Sequence, residues 1–168
     1  MSAMSNTPAS SLIFVDTDLV APDSQLVLNP SAQVVTLLQN GTIRAQHYFS
    51  QQRFRLLVLL LKLPGGVLYA ELLAILNCPD AVVQKVLVAT NHEAVSRALY
   101  SYTLHWKKHL ATIAQQGPRE KRRELVVVWR LITGKKGLNT AIKDFGFVAY
   151  PVHKQGYVLQ RLAERKAM

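Results

Sequence analysis

The chain has 168 residues, with 20 Lys and Arg against 10 Asp and Glu, a formal charge of +10, 49% hydrophobic residues and one cysteine. That length fits one globular unit, and the apolar fraction is too high for a chain that stays disordered through charge alone. A lone Cys78 can neither close an internal disulfide nor build a cysteine zinc site, so a disulfide-stapled scaffold is excluded and a reducing, cytoplasmic interior is the expected home.

The longest apolar run, Leu56 to Leu61, is bracketed by Arg55 and Lys62, far below the roughly 20 residues of a membrane span. The sequence therefore predicts a soluble protein with no membrane partner. Residues 1–11 carry no basic residue ahead of an apolar stretch and read as a flexible leader. Charge is distributed unevenly: residues 1–50 hold one basic and three acidic side chains, a net of −2, residues 51–116 net +4, and residues 117–168 net +8. Such a gradient is the usual footprint of a surface that meets nucleic acid.

From Leu12 to Phe49, short β-type runs (LIFVDTDLV, QLVLNP, QVVTLLQ, TIRAQHYF) alternate with turn residues at Asn29-Pro30-Ser31 and Asn40-Gly41. Asn-Gly is a strong hairpin signal because both residues tolerate positive φ. The pattern predicts an antiparallel sheet over 12–50. Ser50 then caps a helix through Lys62, with Phe54, Leu57, Val58 and Leu61 inward. Pro64-Gly65-Gly66 ends it. A second helix is predicted over Leu68 to Leu76 and a short third over Asp80 to Ala89.

Asn91 caps the clearest amphipathic segment, Glu93 to Ala114, in which Val95, Leu99, Tyr102, Trp106, Leu110 and Ile113 recur at spacings of 3 and 4. Its opposite side presents Arg97, Ser101, Lys107 and Lys108. Gly117-Pro118 introduces REKRRE, read either as an extension of a phosphate-binding track through Arg119, Lys121, Arg122 and Arg123 or as a solvated charged face. LVVVW beyond it fits a strand by β-branching and a helix by the spacing of Leu125, Val128, Trp129 and Ile132. A turn at residues 133–137, a helix over Leu138 to Phe145 closed by Gly146, two strands over 146–160 and a polar tail at 161–168 complete the prediction.

The order of these elements, with several local strings, resembles the OmpR/PhoB family of winged-helix DNA-binding domains. The resemblance rests on LVLNP at 26–30, the helix residues Arg53-Phe54, Leu56-Leu57 and Leu60, then Pro64-Gly65, Val67 and Leu72-Leu73. Near the end, Val152, Gly156, Tyr157 and Leu159 match the family's wing closure. It covers about residues 24–76 and 145–159. It implies an α+β winged helix-turn-helix over 12–160, comprising an N-terminal antiparallel sheet, a helical part at 51–145 and a C-terminal β-hairpin wing at 146–160.

The middle is several tens of residues longer than the family's, so an insertion is expected, and with no receiver ahead of residue 24 the unit would be an orphan effector. The implied function is sequence-directed duplex DNA binding in transcription regulation. Implied partners are double-stranded DNA, a second copy of the chain as homodimer, and RNA polymerase or another protein.

Two segments compete for the recognition helix. Glu93 to Ala114 has the longer apolar face and the better cap, and offers Arg97, Ser101, Lys107 and Lys108; Ser101 and Thr103 stand where the family commonly has Arg. Leu138 to Phe145 offers Lys135, Lys136, Asn139, Thr140 and Lys143. Lys154 in the hairpin turn is placed as the wing residue. The alternative is a winged helix serving as a protein interaction or assembly module, with an RNA or single-strand binder third.

No enzyme is expected, because no phosphate-binding loop, nucleophile elbow or HExxH string occurs. No metal or cofactor is expected either: His105 and His109 stand four apart on one helix, but no third ligand has matching spacing.

Overall fold

The computed structural model describes residues 12–162. The β-type runs of the first third form a four-stranded antiparallel sheet of sequential strands, β1 (Ile13–Val15), β2 (Ser24–Asn29), β3 (Val34–Gln39) and β4 (Thr42–Tyr48). Asn40 and Gly41 both take positive φ, 51° and 79°, and join the paired residues Gln39 and Thr42 in a two-residue turn. The primed turn matches the right-handed twist of the strands it joins. The Asn29 carboxamide accepts from the Ala32 N–H at 3.2 Å and from the Ser31 hydroxyl at 3.0 Å, which closes the β2–β3 connection. Leu26, Leu28, Val35 and Leu37 turn one face of the sheet into the core.

α1 (Gln51–Lys62) lies in that core, with every residue from Phe54 to Leu61 buried. Ser50 caps it, its hydroxyl accepting from the Arg53 N–H at 3.4 Å. The short β5 (Val67–Leu68) leads directly into α2 (Tyr69–Asn77), and α3 (Asp80–Val88) follows across Cys78-Pro79. Arg55, 7% exposed, is the one charged side chain buried among the described residues. Its guanidinium donates to the carbonyls of Ile75 at 3.1 Å and Cys78 at 2.8 Å, and pairs with the Asp80 carboxylate. At the other end of α1, Lys62 donates to the Ala89 carbonyl at 2.7 Å, just past α3. Arg55 and Lys62 thus terminate α2 and α3, where orphan carbonyls and the negative ends of the helix dipoles gather.

α4 (His92–Gln116) is capped by Asn91, which accepts from the Ala94 N–H at 2.8 Å. α5 (Pro118–Thr133) contains the LVVVW run, which is therefore helical. Pro118 sits in its first turn, and Val128, Leu131 and Ile132 are buried at helical spacing. Packing decides what β-branching left open. Trp129, by contrast, is 54% exposed and not part of that buried stripe.

The predicted helix over 138–145 is a five-residue α6 (Leu138–Ile142) continued by one 3-10 turn, Lys143–Phe145, and ended by Gly146 in the left-handed region. The hairpin β6 (Phe147–Val152) and β7 (Gly156–Arg161) runs one residue beyond the predicted 146–160. β7 is the central strand of a second antiparallel sheet, ordered β5-β7-β6. The fold is therefore α+β. The predicted leader, 1–11, and residues 163–168 of the predicted tail lie outside the described residues.

Replacing Arg55 by Met keeps the volume but strips two buried carbonyls of their donor. The expected loss is about 2–4 kcal/mol of unfolding free energy, read as a lowered urea midpoint at unchanged slope. The mostly exposed Asp80 contributes little of it.

Candidate nucleic-acid interface

The most extensive helix–helix packing of α4 is against α2, with α3 and α5 as its other neighbours. Val95, Leu99, Leu110 and Ile113 are buried in those contacts, and Tyr102 and Trp106 are half-buried against the same core. The expected inward stripe is therefore present. On the outward side Arg97, Tyr100, Ser101, Leu104, Lys107 and Lys108 are exposed. Arg97 is engaged locally, pairing with Glu93 one turn back at 2.5 Å. Lys107 and Lys108 have no ion-pair partner among the described residues.

The remaining predicted residues fall in four places. Lys135 and Lys136 are exposed in the turn between α5 and α6, and Lys143 is exposed in the 3-10 turn. Asn139 is committed elsewhere: its amide donates to the Ala149 carbonyl at 2.9 Å and accepts from the Ala149 N–H at 2.7 Å, stitching α6 to β6. Thr140 bonds the Lys135 carbonyl at 3.2 Å, which holds the preceding turn. The polar surface of α6 is thus largely structural.

Lys154 lies at the hairpin turn, where the Gln155 N–H donates to the Val152 carbonyl at 2.9 Å. Its φ is +56°, a left-handed conformation unusual for Lys. The turn is held against α2 by the Tyr69 N–H, which donates to the Gln155 carbonyl at 3.0 Å. Gly156 makes that approach feasible, since a Cβ there would lie 1.8 Å from the Val67 carbonyl oxygen.

The cations grouped with Lys154 come from α5. Lys121, Arg122 and Lys154 line one groove together with Tyr69, Leu125, Val126, Trp129 and Tyr157. The α5 residues of this wall, 118, 121, 122, 125, 126 and 129, share one helical face. Sequence reasoning treated the cluster as a charged track or a solvated face and did not join it to the hairpin. The signal was present in that 3-and-4 spacing, but it required LVVVW to be helical. Burial pushes the Tyr69 and Tyr157 phenols upward in pKa, reinforced for Tyr157 by its neighbour Tyr69, so both stay protonated donors at neutral pH.

The other chemical candidates are occupied structurally. Cys78 is buried, and burial raises its thiol pKa against the opposing charge of Arg55, which suppresses the thiolate. The rings of His105 and His109 stack at 6.3 Å, and His109 lies 3.6 Å from Glu124. No group of three or more His, Cys, Asp or Glu side chains among the described residues is placed to hold a metal ion. No described helix is long and apolar enough to cross a membrane.

No protein-family model matches the chain, and no curated protein or solved structure matches it.

The strained turn separates stability from binding at Lys154. Asn tolerates positive φ, so Lys154→Asn is expected to raise unfolding free energy by about 0.5–1 kcal/mol, measured by chemical denaturation, while weakening polyanion binding. A loss of stability would mean that Lys154 is not held against its preference.

Proposed function

We propose that this chain binds duplex DNA as a winged-helix protein and acts in transcription regulation, with α4 entering the major groove and the β6–β7 hairpin as the wing. The observation that carries the reading is α4 itself. It is a 25-residue helix seated on α2 with Arg97, Ser101, Lys107 and Lys108 exposed along its outward side. The order of elements supports it: a four-stranded sheet, α1, the two-residue β5, α2, and at the end a hairpin whose second strand pairs with β5.

In this reading the roles divide by chemistry. Lys107, Lys108, Lys135, Lys136, Lys143 and Lys154 neutralise phosphates and supply salt-sensitive affinity. Arg97 and Ser101 are the base-edge readers, Arg97 by exchanging Glu93 for a guanine edge. That exchange costs little, because an exposed pair of this kind contributes under about 1 kcal/mol. The short α6, with Asn139 bound to β6, favours α4 over its rival as the recognition helix. With so few base readers, affinity exceeds specificity.

A second reading has its own observation. Tyr100 is 66% and Leu104 37% exposed on the outward side of α4, and such a face also suits a protein partner or a second copy of the chain.

Anisotropy titration of a labelled duplex between about 50 and 300 mM salt tests the first reading. About six phosphate contacts predict a log–log slope near −5 to −6, and Lys107→Ala with Lys108→Ala removes about two units of it. Absent binding at low salt, or a flat salt response, contradicts DNA binding. Unchanged DNA behaviour in the double variant, with self-association in sedimentation, favours the assembly module.

A further inference from the structure

The groove between α5 and the hairpin turn has a composition that phosphate contacts alone do not require. It is open to solvent and has a volume of about 530 Å³, within the roughly 300–1,000 Å³ of small-ligand sites. Its floor and walls are Tyr69, Leu125, Val126, Trp129 and Tyr157, and its cations are Lys121, Arg122 and Lys154; among the described residues no carboxylate lines it. Three parts distant in sequence build it: the first residue of α2, one face of α5, and the hairpin turn with the start of β7. Tyr69 and Tyr157 meet edge to face at 6.0 Å, which fixes one wall.

The charge is not placed there for the helix's own benefit. Arg119, Lys121, Arg122 and Arg123 fall in the first two turns of α5, at the positive end of its dipole, where cations are unfavourable. An anion in the groove relieves that repulsion. The lone large exposed aromatic of α5, Trp129, forms the adjoining apolar surface.

We propose that this groove is a binding site for a small amphipathic anion, an aromatic carboxylate in chemical class, whose ring lies against Trp129 and Leu125 and whose carboxylate meets Arg122, Lys121 and Lys154. Arg122 supplies the planar fork that suits a carboxylate, and the groove has room for one or two fused rings with short substituents. The site stands independently of the DNA reading, since each of its contacts can be scored on the free protein.

The test uses 2-naphthoate and its uncharged counterpart 2-naphthalenemethanol on the full chain without DNA. Trp106→Phe leaves Trp129 as the sole tryptophan reporter, because the chain has two. Saturable change in Trp129 emission with naphthoate is expected, with binding at least about tenfold weaker for the alcohol and for Arg122→Gln combined with Lys154→Gln. Calorimetry on the unmodified protein repeats the comparison free of the reporter substitution, and circular dichroism confirms that the exposed Gln variants fold.

Absent saturation up to millimolar naphthoate overturns the proposal, as does equal binding of the alcohol or undiminished binding by the Gln variant. Trp129 quenching by a single-stranded oligonucleotide but not by naphthoate also overturns it, making the groove a base-stacking surface.

Discussion

The arrangement depends on one buried helix that supplies cations to two others. α1 is apolar on almost every side, yet Arg55 reaches from within the core to the carbonyls of Ile75 and Cys78, and Lys62 reaches the carbonyl of Ala89. Burying a guanidinium is tolerable only when its donors are satisfied. Satisfying them fixes where α2 stops, how α3 departs, and through them where α4 lies. Burial lowers the Lys62 pKa below its ordinary value, consistent with an ammonium that gives up water for a carbonyl. The position of α4 thus depends on these contacts as well as on its own packing against α2.

α5 changes what the basic charge accomplishes. Its buried side, Val128, Leu131 and Ile132, joins the common core, so its basic half is held on a rigid element beside the hairpin turn. Lys154 belongs to both the proposed wing and the groove, held at positive φ by the turn and by the Tyr69–Gln155 bond. Strain of this kind at a binding edge is a usual compromise between stability and function.

Elements governed by local chemistry were legible in the sequence. Asn40-Gly41 encodes its own turn, Ser50 and Asn91 their helix starts, and Gly146 its helix end, because each acts on neighbours within three or four residues. LVVVW was not decidable, since β-branched residues favour a strand and only the tertiary burial of Val128 and Ile132 selects the helix. Asn139 looked available to a base because its bond to Ala149 spans ten residues of chain. The groove escaped for the same reason: Tyr69, Trp129 and Lys154 come together only through β5–β7 pairing and α5 packing. Arg55 carried no local signal that it would be buried. Among the predicted site residues, the exposed cations of α4 and the hairpin kept the accessibility that the DNA reading requires, while Asn139 did not.

Duplex binding through α4 is read by mapping amide chemical shifts of the folded protein on addition of a short duplex. Perturbations are expected on the outward side of α4 from His92 to Lys108, on the turn at 134–137 and on the hairpin turn at 153–155, with the four-stranded sheet silent. Perturbations confined to the sheet, or none at saturating duplex and low salt, would contradict binding through α4.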